Sequence, residues 1–320
     1  MTGFTTCSVL VGVLLLTPVA SAAQRFAVAE CGQVIEAKTQ GELLGDLDCS
    51  THQGPAVTVA GGTLYLNGYT VTGNLDYPAG TESVVFCSAS CTVTGPGTIE
   101  GSVTGFYASY DARRVKLKNL TITGSEMMGV QVSRRAILDS VTIENTFIGV
   151  SAGIKLTLLN STIKNNSDIG ALALARGIVV KDSTVTGNGS NGIAAAHGGR
   201  VQRSTITNNV LTGVSLTQRL KIKDSTITGN GWEGAGAAGG VLTVKNTTVA
   251  QNGRIGIVST VRVRAFDSFI IDNCTDPLVQ SGINCADIMS CGPPKIRNTR
   301  CGTSLLCQAP GVSWGICELD

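Results

Sequence analysis

The chain has 320 residues, 40 of them glycine, a formal net charge of +2, and only 14% charged and 4% aromatic residues. It is too apolar and too weakly charged for a disordered chain, and a pI near 8.0 lies below the range of dedicated nucleic-acid-binding domains. Two histidines in the whole chain leave little material for a His-built metal site or a Ser–His triad.

Residues 1–23 read as a secretory signal peptide. An apolar run from Val9 to Ala20 leads to the small residues Ser21, Ala22 and Ala23, the pattern of a cleavable leader. The run is too short to span a bilayer, and no later stretch could. Of the 11 cysteines, Cys7 leaves with the leader, and ten remain. An even number of cysteines without a C-x-x-C string points to disulfides rather than zinc. Cys31 and Cys49 lie within residues 24–50, which are expected to form an N-terminal cap. Cys87 and Cys91 sit in a tight C-S-A-S-C, and Cys274, Cys285, Cys291, Cys301, Cys307 and Cys317 crowd the last 50 residues, where a C-terminal cap is expected over 276–320. The pairing is open at this level.

Between the caps, over 51–275, the chain repeats. Ile122, Ile143, Ile163, Val185, Ile206, Ile227, Val249 and Ile270 recur at intervals of 20–22 residues. Gly129, Gly149, Gly170, Gly192, Gly213, Gly234 and Gly256 recur in phase, each before an apolar residue. Each unit carries three short β-prone runs, such as Leu220–Ile222, Thr226–Thr228 and Ala235–Ala237. Such runs are too short for helices and are punctuated by Gly and Asn. One unit cannot bury its apolar side alone, whereas stacked units can. The fold class expected is therefore all-β: a single-stranded parallel β-helix of about 21 residues per rung, with ten to twelve rungs. Asn166, Asn188, Asn209, Asn230, Asn252 and Asn273 follow the repeating Ile or Val. They suit left-handed turn positions and an internal ladder of side-chain amides.

Several strings place the chain in known company: Gly62-Thr-Leu-Tyr-Leu-Asn-Gly-Tyr-Thr-Val-Thr-Gly73, Asp182-Ser-Thr-Val-Thr-Gly-Asn188, Asp224-Ser-Thr-Ile-Thr-Gly-Asn230 and the opening Cys31-Gly32 with Leu47-Asp48-Cys49. Over roughly 31–275 the sequence resembles the secreted right-handed parallel β-helix proteins of the pectin-lyase-like superfamily. The resemblance implies a right-handed coil. The catalytic strings of polygalacturonases and alginate epimerases do not occur; the nearest, Ala196-His197-Gly198-Gly199 and Arg254-Ile255-Gly256, do not match.

Chemistry on such a scaffold sits in columns of stacked residues. The positions after the repeating Gly (Gln131, Ser151, Leu172, Ala194, Ser215, Gly236, Val258) are small and lack the paired carboxylates of acid–base catalysis. Six residues after that Gly, Arg135, Lys155, Arg176, Arg219 and Arg262 form a basic stripe, with Arg200 nearby. Such a stripe attracts polyanions in a salt-dependent way. Asp182, Arg203, Asp224 and Asp267 suggest a surface ion-pair ladder, and Thr121, Thr142, Thr162, Thr184, Thr205, Thr226 and Thr248 a threonine face. Aromatics cluster at a loop expected over Gly105–Arg114. There Tyr107, Tyr110, Asp111, Arg113 and Arg114 are the candidate catalytic residues, a Tyr as acid–base and an Arg neutralising a uronate. Asp76, Tyr77 and Glu126 stand as substrate contacts beside them. His52 and His197 read as lone turn residues. The function expected is secreted binding of extracellular, anionic polysaccharide without strong catalysis. A lyase or epimerase on uronate polymers, or a structural, adhesive or ice-binding threonine face, are the alternatives. A monomer is expected, with no nucleic-acid partner, no membrane span and no cofactor or metal, calcium entering only for a lyase.

Overall fold

The computed structural model describes residues 25–75, 83–276, 285–307 and 312–318; the expected signal peptide, Asp76 and Tyr77 lie outside them. The described residues wind into a parallel β-helix with three sheets of 13, 12 and 13 strands. One coil shows the pattern. Lys155–Leu159 lies in a sheet with outward basic residues, Thr162–Lys164 in a threonine sheet, and Ala171–Ala173 in a sheet led by glycine. The chain then returns to Ile178–Lys181, paired in parallel beside Lys155–Leu159.

Period-two alternation sets which way each side chain points. In Leu220–Lys223, Leu220 and Ile222 are buried while Lys221 and Lys223 are exposed. The inward residues stack by type: Leu158, Val180, Val201, Ile222 and Val244 form one column, and Ile143, Ile163, Val185, Ile206 and Ile227 another. Each is essentially without solvent contact. Burying one such side chain contributes roughly 1.5–3 kcal/mol, and the column repeats that gain on every coil.

Polar ladders close two of the three corners. Between the threonine and glycine-led sheets, Asn166 donates to Asn188 (2.9 Å), and the chain runs on through Asn209, Asn230, Asn252 and Asn273. Thr146 starts this ladder and Asp287 ends it, accepting from Asn273 Nδ2 at 2.7 Å. The other Asp287 oxygen accepts the backbone N–H groups of Gly302 and Thr303, both at 2.9 Å. The left-handed turn residue is not the ladder asparagine but the one before it: Asn165, Asn208, Gln251 and Asp272 have φ of 54–56°. The ladder amide is turned inward, where only its neighbours can satisfy it. At the corner between the basic and threonine sheets, Ser161, Ser183, Ser204 and Ser225 each accept a backbone N–H from the previous coil and donate to the carbonyl two residues back.

The coils begin earlier than the expected N-terminal cap allows. Arg25–Val28 pairs with Gln40–Leu43, and Gln33–Ile35 with Val57–Val59, because Val28, Ile35 and Leu43 alternate inward like later rungs. At the other end, Ala286–Ser290, Lys295–Arg297 and Ser304–Leu306 continue the three-sheet order inside the region read as a C-terminal cap. The ten cysteines pair as Cys31–Cys49, Cys87–Cys91, Cys274–Cys285, Cys291–Cys307 and Cys301–Cys317. Four of the five bridges thus tie the end coils. No helix among the described residues is long and apolar enough to cross a membrane.

Candidate functional site: a basic groove

The basic sheet concentrates the charge of the molecule. More than half of the chain's 24 Lys and Arg residues rise from its strands or from the turns leading into them. Register sorts most of them into three outward rows, two of which line the groove; the third, at the far ends of the strands, holds Lys118, Lys181, Lys223, Lys245 and Arg297. Arg135 lies directly beside Lys155, and Arg114 precedes Val115, the partner of Ala136, so Arg114 extends the same row. Downstream the row passes through Gly177 and Gly198 before Arg219, then through Val241 to Arg262. The second row, two residues further along each strand, holds Lys116, Arg200, Lys221, Arg264 and Lys295. Neighbouring rungs are about 4.8 Å apart, and positions i and i+2 on a strand roughly 6.6 Å apart.

Arg176 is not in the predicted row. Gly177 holds that place, because residues 174–176 lengthen the turn before Ile178–Lys181. Neither Gly177 nor Gly198 can carry a side chain. A Cβ on Gly177, whose φ is +90°, would meet the Gly198 carbonyl oxygen at 1.8 Å, and one on Gly198 the Arg219 oxygen at 2.5 Å. Two consecutive rungs therefore leave a depression of about 640 Å³ in the sheet. Its rim is Lys155, Arg176, His197, Arg200, Gln218, Arg219 and Lys221, and its floor includes Ile178 and Val179. A smaller hollow of about 110 Å³ between Arg114, Arg135 and Lys155 adjoins it. Lys155 lines both, so the two form one groove along the helix axis.

These cations lack acidic partners. Among the described residues, the ion pairs are Arg25–Glu42, Lys164–Glu144, Lys181–Asp182, Arg203–Asp182, Lys223–Asp224, Arg254–Asp276 and Arg300–Glu318. None involves a rim residue of the groove. The acids sit at the corner instead, in the predicted ladder. Arg203 grips Asp182 through both oxygens (2.6 and 2.9 Å), Asn246 donates to Asp224, and Asn298 to Asp267. Arg203's hydrogen bond, aided by its charge, holds the Asp182 carboxyl below the usual carboxylate range. The Asn246 hydrogen bond does the same for Asp224.

The aromatic loop site does not assemble. Tyr107 lies in the strand Thr104–Ala108 rather than in a loop, because Thr104, Phe106 and Ala108 alternate inward around it. It faces outward on the glycine-led sheet and stacks on Phe86, with centroids 5.7 Å apart. Only residues 109–114 form a turn. There Tyr110 is 67% exposed with the Arg134 guanidinium 4.8 Å above its ring; Asp111 and Arg113 are exposed, and Arg114 joins the basic row. Glu126 is exposed at the opposite end of the glycine-led strand Met128–Val132. The five expected catalytic residues and Glu126 thus occupy three separate places. No group of three or more His, Cys, Asp or Glu side chains that could hold a metal ion occurs among the described residues.

The sequence reading missed Lys116, Lys221, Arg264 and Lys295. The signal was present in Val115-Lys-Leu-Lys118 and Leu220-Lys-Ile-Lys223, where strict alternation with buried residues dictates an outward lysine. His197, read as a lone turn residue, is in a turn but lines the groove. The threonine row is as predicted and longer, running without a break from Thr70 and Thr98 to Thr248. Its companion row is interrupted by the Glu144–Lys164 pair at 2.9 Å.

Comparison with known proteins places this geometry. The family described as the right handed beta helix region matches residues 59–211 and 175–288. No curated protein sequence matches the chain. Among solved structures, the periplasmic alginate epimerase AlgG is similar at a TM-score of 0.65 and 11% identity, over 85% of this chain and 77% of that one. The Dettilon tailspike protein is similar at a TM-score of 0.53 and 16% identity, over 90% of this chain and 60% of that one. At these identities the likeness is one of fold.

Proposed function

Since the chain belongs to the right-handed β-helix family, and its unpaired cations line one open face of that helix, we propose that it is a secreted protein that binds an anionic extracellular polysaccharide lengthwise along the basic sheet, without strong catalysis. The observation that carries this reading is the row Arg114, Arg135, Lys155 and Arg219 beside a groove with no acid on its rim. Like charges stacked at rung spacing repel one another. A fold that gathers them with no internal counter-charge is less stable for it, and a bound polyanion relieves that repulsion. An extended sugar chain carrying a carboxylate on each residue repeats its charge at a pitch of the same order as the rungs. The five disulfides suit an oxidising compartment outside the cytoplasm. AlgG, whose coil this fold shares, is by its description an epimerase of alginate, itself an acidic glycan. We read the protein as a monomer.

Affinity electrophoresis tests the proposal. The mature protein is run through gels containing pectate, alginate, a sulfated glycan or a neutral glucan, at low and high salt. Retardation by the acidic polymers, removed by salt and abolished in Arg135→Ala/Lys155→Ala/Arg219→Ala, is the expected result. Equal retardation by the neutral glucan, or none by any acidic polymer, overturns it.

A further inference from the structure

Resting on that reading, we infer that the glycine-floored depression takes a sugar residue charged on both edges, a uronate-type residue that also carries a sulfate or phosphate ester, rather than one bearing a single carboxylate. A chain with one charge per residue needs a single row of cations. Upstream, at Arg135 and Lys155, one row is what the groove offers, since Ile137 and Thr157 occupy the second row beside them. At the depression the arrangement changes. The first row loses its side chains at Gly177 and Gly198, and the cations stand around the gap: Lys155 and Arg219 at its ends along the axis, Arg176 with His197 on one flank, Arg200 and Lys221 on the other.

The geometry suits a broad, multiply charged ring. The missing side chains lower the floor by the depth of a side chain, so a ring can sink between the rows. The flanks are separated by more than the roughly 6.6 Å between alternate strand positions, which places cations at both edges of that ring. Two of the flanking groups are guanidinium forks, which match tetrahedral oxyanions through paired hydrogen bonds. All five Lys and Arg groups are without acidic partners among the described residues, so no described carboxylate competes for them.

The test compares two defined ligands by calorimetry or fluorescence titration at one ionic strength: a hexagalacturonate, with carboxylates only, and a sulfated uronate-containing hexasaccharide of the heparin type. A phosphorylated counterpart separates sulfate from phosphate. Arg200→Ala/Lys221→Ala is expected to weaken the sulfated ligand about tenfold more than the hexagalacturonate, whereas Arg135→Ala/Lys155→Ala weakens the two by similar factors. If Arg200→Ala/Lys221→Ala weakens both ligands equally, the inference falls while the polyanion reading stands. If neither ligand binds the unmodified protein, the polyanion reading itself falls. Circular dichroism of each variant confirms the coil, and the exposed side chains of Arg200 and Lys221 can be truncated without opening the core.

Discussion

Asn209→Ala removes the middle of the amide ladder, and the structure sets the size of the effect. Asn209 is 1% exposed. Its side-chain oxygen accepts from the Asn188 backbone N–H at 3.2 Å and from Asn188 Nδ2 at 2.8 Å. Its amide donates to Asn230 Oδ1 at 2.9 Å and to the Val185 carbonyl at 3.4 Å. Alanine leaves the Asn188 backbone N–H with no acceptor and its side-chain amide with only the Ile163 carbonyl at 3.4 Å. A buried group left unsatisfied costs roughly 1–3 kcal/mol. One orphaned N–H and one weakened amide give about 2–5 kcal/mol. A coil array need not unfold in a single step, so the cleanest assay is local: hydrogen exchange of the Asn188 amide. A loss of about 2 kcal/mol accelerates exchange by roughly 30-fold, and the urea midpoint falls with it. Leu174→Ala, at a side chain 53% exposed, stays within about 0.5 kcal/mol of the parent protein. If the Asn188 amide exchanged at the parent rate, the ladder would not be a stabilising element.

Other substitutions probe the remaining features. Gly177→Ala forces a Cβ to 1.8 Å from the Gly198 oxygen at a φ of +90°; a cost well above 1 kcal/mol is expected, and a thermal midpoint equal to the parent's would contradict it. Asp182 is held ionised by Arg203. Its small contribution is present above the unfolded carboxyl value and lost as pH falls through the lower folded one. Arg203→Gln should return the Asp182 titration, followed by NMR, toward the ordinary range; an unchanged titration would mean that another group holds the carboxylate. Saturating pectate or a sulfated glycan should raise the thermal midpoint at low salt by mass action and not at high salt, where the rows are screened. A salt-independent rise would count against the charged rows as the binding surface. Tyr107→Phe keeps the stack on Phe86 and should leave polymer retardation unchanged; a loss would restore the glycine-led face as a candidate.

Columns were legible in the sequence wherever the repeat held its period. The 20–22-residue spacing fixed which residues stack, so the asparagine ladder, the threonine row and the Asp182–Arg203 pair could be read before any coordinates. Reading failed where one residue changes the phase. The turn before Ile178 lengthens, Gly177 takes the place counted for Arg176, and the row becomes a depression. It failed again at Tyr107, since an aromatic outward position followed by Ala-Ser-Tyr-Asp looks like a loop until Phe106 and Ala108 are seen to point inward. The serine ladder was missed for a different reason. A Ser before Thr-x-Thr is also an ordinary turn residue, and only the register reveals that its hydroxyl caps the N–H of the preceding coil.

Composition hid the basic groove because it averages over faces. A net charge of +2 describes a protein in which acids and bases nearly cancel, yet a solenoid separates them by position within the coil. Asp182, Asp224 and Asp267 occupy left-handed turn positions, where a short polar side chain can bond its neighbours, and Arg203 in the same column is taken up by Asp182. Lys and Arg occupy the adjoining strands, where their stems lie over the sheet and their heads reach water. The backbone thus gathers most of the acids of this face at one corner and the bases on the strands beside it, and repetition extends both along the axis. The Asp182–Arg203 and Lys223–Asp224 pairs confine the acids to that corner and leave the centre of the sheet positive. A polyanion laid along the axis meets this field over many rungs at once. Its affinity is therefore expected to grow with the number of rungs it covers, and truncated oligosaccharides spanning only two or three rungs should bind far more weakly than longer ones. Equal affinity per molecule for short and long oligomers would place recognition at a single rung and not in the rows.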